Sequence, residues 1–146
     1  MGLSLRTRRD NARGIGKRDA KAWRSRRYVS TGIGNRAVLA TGTGNAGYEV
    51  YSEVPGTAGN SITFAVVVAG ANTAESVTAT GTALTYNAAT NGASAATSTV
   101  RGMVEAVNRY SHAEGAVVKL HAQRPRTSDG TSVIAALTAT ALAGAV

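Results

Sequence analysis

From Ser61 to Val68 the chain alternates. Ile62, Phe64, Val66 and Val68 fall on one side, and Ser61, Thr63, Ala65 and Val67 on the other. A period of two, in residues that suit a pleated surface, predicts a strand. Towards its end both sides are apolar, which predicts a central strand covered on both faces. The turn cluster Val54-Pro55-Gly56-Thr57-Ala58-Gly59-Asn60 leads into it. Pro55 presets φ, Gly56 and Gly59 accept positive φ, and Asn60 is expected to close the turn through its own local backbone. The other elements are expected to assemble around this strand.

The flanking pattern is of the same kind. Val38-Leu39-Ala40 is a short apolar run that opens the domain. Tyr48, Val50, Ser52 and Val54 alternate with Glu49, Tyr51 and Glu53. Ser76–Thr80 and Ala83–Asn87 read as strands about a Gly81-Thr82 turn, so a meander of short antiparallel strands is expected. A helix is predicted over about 97–111. Val100, Met103, Val104 and Val107 form its apolar stripe, and Thr97 or Ser98 is its expected N-cap. Gly102 weakens that helix by about 1 kcal/mol relative to Ala, and is expected to let a neighbour approach closely. Ala116–Ala122 reads as a further strand, and the polar loop Gln123–Gly130 follows. In the tail from Val133 to Gly144 Ala and Leu favour a helix, while the Thr alternation and the position favour a strand, which is the reading preferred. The fold class is α+β, mainly β: a small antiparallel sheet or sandwich with one packed helix.

Composition narrows this picture. The 146 residues suffice for one domain with a core. Aromatics are only 5%, so that core is built from small side chains, chiefly Ala and Val. There is no Cys, hence no disulfide framework and no thiolate metal site. No apolar stretch approaches the roughly 20 residues that cross a bilayer, so no membrane partner is expected. The basic N-terminus lacks the apolar segment of a secretory signal. An Arg-rich start is also a feature of organelle transit peptides, but Asp10, Asp19 and the repeated glycines argue against one.

Charge divides the chain. Residues 1–36 hold eleven of the sixteen Lys and Arg against two of the eight acids, an excess of nine positive charges. The remaining five cations meet six acids, so the rest is almost neutral. Two domains follow: a basic, extended docking arm over 1–36 and a β-rich globular domain over 37–146. Glycines at 14, 16, 32 and 34 interrupt any long helix in the arm, and its apolar face is thin. Such a segment is expected to take shape only on docking. A solvated tail and a nucleic-acid arm are competing readings. The arm uses nine Arg against two Lys, which favours fixed bidentate contacts with an acidic protein surface. Arg6, Arg8, Arg9, Arg13, Lys17, Arg18, Lys21, Arg24, Arg26 and Arg27 are its expected contacts, with Trp23 and Tyr28 as buried anchors.

Candidate chemistry does not hold together. Gly42-Thr43-Gly44-Asn45-Ala46-Gly47 spells the dinucleotide fingerprint, but a strand pattern follows it where a helix is required. Gly14-Ile15-Gly16-Lys17 is followed by Arg18 where a phosphate-binding loop needs Ser or Thr. His112 and His121 have no further metal ligand at a useful spacing, and His121 is expected at an exposed strand position. The six acids of the globular part are scattered, with no pair placed for acid–base work. The chain is therefore read as a non-enzyme without cofactor.

The globular part resembles a module of tailed-bacteriophage virion proteins. The likeness lies in Pro55-Gly56-Thr57-Ala58-Gly59-Asn60-Ser61-Ile62-Thr63, in Val77–Tyr86, in Thr97-Ser98-Thr99-Val100 leading to Ala106-Val107-Asn108, and in Leu137–Gly144. It covers roughly residues 41–146, excludes the arm and carries no catalytic residues. It implies a virion structural protein, above all a capsid decoration (cement) protein whose arm staples neighbouring capsid subunits. The implied partners are the major capsid protein and copies of the chain itself, a trimer being one arrangement. The implied place is the capsid surface. A head–tail connector or tail-tube component is the alternative, with a neck or tail location. An internal DNA-contacting protein is the lesser one.

Overall fold

The structure, a computed structural model, describes residues 35–146. Arg6, Arg8, Arg9, Arg13, Lys17, Arg18, Lys21, Trp23, Arg24, Arg26, Arg27 and Tyr28 lie outside the described residues, and so does the expected extended arm as far as residue 34. Arg36, expected to end the arm, instead pairs with Pro55 and starts the first strand of the domain.

Seven strands and one helix make up the described part. They are β1 (Arg36–Thr41), β2 (Tyr48–Pro55), β3 (Thr63–Val67), β4 (Ser76–Thr80), β5 (Ala83–Asn87), α1 (Val100–His112), β6 (Leu120–Gln123) and β7 (Leu137–Ala141). The strands form a three-stranded sheet, β1-β2-β6, and a four-stranded sheet, β4-β5-β3-β7. The fold is mainly-β α+β, as the sequence pattern predicts.

β3 is central in its sheet, between β5 and β7. Phe64 and Val66 are buried on one side, but Val67 on the other is 39% exposed. The strand is therefore covered on one face only, and the apolar Val67 misled the two-sided reading. The antiparallel meander is also corrected. β4 and β5 form the expected hairpin about Gly81, whose φ is +59°. That hairpin swings round so that β5, not β4, lies beside β3, and β3 and β5 run parallel. The predicted strand over Ala116–Ala122 begins only at Leu120, and Val117 is 70% exposed.

One core joins the two sheets and the helix. Phe64, Val66, Leu84 and Tyr86 meet Val50, Leu120 and Ala122 around Val100, Met103 and Val107 of α1. Tyr48 meets Phe64 edge to face, with ring centroids 6.3 Å apart. The N-cap is Thr99, one residue beyond the expected positions; its Oγ1 accepts from the Gly102 N–H at 3.2 Å. Ser98 Oγ instead accepts from the Ala89 N–H at 2.8 Å. The next free donors of the helix, the N–H groups of Val100 and Arg101, reach the carbonyls of Ser132 and Gly130. Gly102 does not serve a close approach: an added Cβ would meet Glu75 Oε2 at 3.5 Å and Thr99 Oγ1 at 3.6 Å, ordinary contacts.

The turn before β3 differs from expectation in two residues. Gly56 has φ +74°, as a turn glycine should. Gly59 is buried in a 3-10 turn, and a Cβ there would lie 3.0 Å from Ser52 Cβ and the Val54 carbonyl oxygen. Its small size matters, not a left-handed backbone. Asn60 does not close its own turn. Its Nδ2 donates to the Ala145 carbonyl at 3.0 Å, and its Oδ1 accepts from the Ala145 N–H at 3.1 Å.

Candidate interaction surfaces

The four strands of the larger sheet contain no Asp, Glu, Lys, Arg or His. Register places the residues of their outer face in rows. Thr80, Ala83 and Thr63 form one row; Thr78, Thr85 and Ala65 the next; Ser76, Asn87 and Val67 the third. Asn87 Nδ2 donates to Ser76 Oγ at 3.2 Å, so even the amide is partly satisfied within the sheet. Small hydroxyl and methyl groups dominate. Such a face can be covered by protein without desolvating any charge, the usual obstacle to burial.

The smaller sheet is different. Glu49, Tyr51 and Gln123 cluster on its outer face. The Tyr51 hydroxyl and Gln123 Nε2 both donate to Glu49 Oε2. Those two bonds hold the Glu49 carboxyl below its usual range, the Tyr51 bond contributing most. The same bond to Glu49 raises the Tyr51 phenol. His121, opposite Tyr51, is exposed on this strand, as expected.

A cleft of about 420 Å³ lies beside β6, lined by His121, Arg124, Pro125 and Arg126 among others. One Arg124 guanidinium nitrogen donates to the Ser128 carbonyl at 3.0 Å. Asp129 is held below its usual range by backbone and side-chain bonds from Thr131, with smaller help from Arg101 and Arg124. The basic groups here are thus partly occupied by their own loop.

The glycine-rich segment 42–47 makes a short 3-10 turn, Gly44–Ala46, and runs into β2. The helix that would present its N-terminus to a pyrophosphate is replaced by a strand. Gly42 has φ +73°, and a Cβ there would collide with the Ala46 carbonyl oxygen. The glycines serve a tight loop. Among the described residues no three His, Cys, Asp or Glu side chains are grouped to hold a metal. No described helix is long and apolar enough to cross a membrane.

Inside the domain, Glu75 ties β4 to the segment that starts α1. Its Oε2 accepts from the Tyr86 hydroxyl at 2.7 Å and from Ser98 Oγ at 3.2 Å. Burial raises the Tyr86 phenol, and the bond to Glu75 raises it further.

The uncharged sheet is not among the sites expected from the distribution of charge. The signal was present: residues 76–100 contain no charged side chain. Compared with protein-family models, with curated proteins and with solved structures, the chain matches none.

Proposed function

We propose that this chain is a structural protein of a tailed-bacteriophage virion, acting as a capsid decoration protein without catalysis or cofactor. The observation that carries the reading is the separation of charge. An excess of nine positive charges lies in residues 1–36, while the larger sheet of the domain has no charged residue. A neutral sheet suits close packing on a shell or on another copy. An Arg-rich segment suits bidentate pairing with carboxylates of the major capsid protein, with Trp23 and Tyr28 as anchors. Each copy contributes modestly, and many copies on one particle hold the shell against internal pressure through multivalency.

A neck or tail-tube role is the second reading. It is favoured by the open, uncharged strand at the edge of the larger sheet, which could propagate a ring. A DNA-contacting internal protein ranks below both, because Arg so outnumbers Lys in the basic segment.

Purified full-length protein separates the three. A decoration protein stays soluble and binds preformed, undecorated shells at a fixed number per particle. A tube subunit polymerises unaided. A DNA protein binds duplex with an affinity that falls steeply with salt. Failure to bind shells, combined with either of the other behaviours, overturns the decoration reading.

A further inference from the structure

Of the four edge strands in the described domain, β1 and β6 are closed by groups from elsewhere in the chain and β7 carries an irregularity. Asn108 and Ser111 of α1 bond the outer edge of β6 at Ala122 and Leu120. Ala143 exchanges two backbone bonds with Val38 at the edge of β1. β7 is broken by a register shift opposite β3. β4 has no such device. Its pairing with β5 is continuous from Ser76 to Thr80, and no described backbone or side-chain group bonds to its other edge. It carries no charge, no Pro and no bulge, the features by which edge strands usually avoid pairing with other chains.

We propose that β4 is a pairing edge for a second copy of this chain, joined antiparallel about a two-fold axis at Thr78. The strand is self-complementary in that register. Ser76 would face Thr80 of the other copy, Val77 would face Ala79, and Thr78 its own counterpart. Hydroxyl side chains then meet hydroxyls on the outer face, and small apolar side chains meet on the inner face. A two-fold contact requires such reciprocity: if one residue meets another, the second must meet the first. The nearest charge along the strand, Glu75, would stand opposite Gly81, so the two Glu75 carboxylates stay apart. A groove of about 310 Å³ runs between β4 and α1, lined by Val77, Ala106, Tyr110 and Ala113 among others, and Arg109 of α1 lines it beside Val77. It gives the inner-face side chains of an added strand a place to go. The product is one eight-stranded sheet with an uncharged outer face.

A five-residue strand pair buries less than the roughly 1,200 Å² of a standard stable interface, so the free dimer is reversible. Copies held side by side on a particle would pair at a much higher effective concentration. Only this use of the contact rests on the decoration reading. The contact itself is measured on free protein, so either can fail without the other.

The test is sedimentation of the full-length chain over rising concentration, for wild type, Thr78→Lys, Thr78→Glu and their equal mixture. Thr78 is exposed, so both substitutions leave the monomer folded, which its circular dichroism checks. Wild type should form a concentration-dependent dimer. Each variant alone should associate at least about tenfold more weakly, because like charges then face each other across the axis. The mixture should recover dimerisation. The chain has no Cys, so oxidised Thr78→Cys should give a covalent dimer, and Thr85→Cys, one strand further in, should not. A wild type that stays monomeric up to about 1 mM overturns the proposal. Thr78→Lys dimerising like wild type also overturns it.

Discussion

The side-chain amide of Asn108 exchanges two hydrogen bonds with the backbone of Ala122. Nδ2 donates to the carbonyl at 2.9 Å, and the Ala122 N–H donates to Oδ1 at 2.8 Å. The asparagine thus stands in for a residue of a neighbouring strand, and a helix closes a sheet edge. Ala122 is 1% exposed, so its polar groups depend on this partner. Asn108→Ala should cost about 2–3 kcal/mol, since a buried group left unpaired costs about 1–3 kcal/mol. Asn108→Asp keeps the acceptor but sets a charge against the Ala122 carbonyl, and should be no better than Ala. Urea unfolding of the three proteins measures this.

Asn60 makes the same exchange with Ala145, 85 residues away. It pins the chain end just after Leu142 bonds to Ile62 and Ala143 to Val38. Asn60→Ala should free the last residues first. Amide exchange at Ala143 and Ala145 should quicken more than at the centre of β3, with a local loss of about 1–2 kcal/mol.

Two glycines should respond oppositely to alanine. At Gly102 an added methyl finds only ordinary contacts, so Gly102→Ala should stabilise the helix by about 0.5–1 kcal/mol. At Gly59 the methyl meets Ser52 and the Val54 backbone at 3.0 Å, and Gly59→Ala should destabilise by about 1–3 kcal/mol. Thermal melts of both variants check the signs.

Alkaline stability follows from two tyrosines. Burial pushes Tyr48 from 10.0 up to about 12. Tyr86 is raised as well, by burial and then by Glu75. Both phenols are neutral in the fold and ionise more readily once unfolded. Both contributions are therefore intact below about pH 10; that of Tyr48 is lost as pH rises through about 12, and that of Tyr86 at still higher pH. Tyr48→Phe removes one of the two groups, so its stability should fall less steeply over that range in urea titrations at stepped pH.

The elements were legible where a local period marks them. The alternation of Tyr48, Val50 and Ser52 and the stripe of Val100, Met103, Val104 and Val107 translate directly into β2 and α1. Partners were not legible. Gly81-Thr82 announces that β4 and β5 adjoin, but nothing local says which of them adjoins β3. Asn60 and Asn108 look like turn and helix-surface residues, and their roles depend on backbone 85 and 14 residues away. The uncharged sheet was not legible either, because a binding surface without charge has no letter of its own.

In the proposed decoration role, the neutral domain is held in place by the basic residues ahead of it. Shell binding by a chain lacking residues 1–30 tests this most directly, with circular dichroism and thermal unfolding as the control for the domain. The prediction is an unchanged melt and an affinity for undecorated shells at least about a hundredfold weaker, as expected when several Arg contacts and two aromatic anchors are lost together. Binding by the shortened chain at full affinity would contradict it.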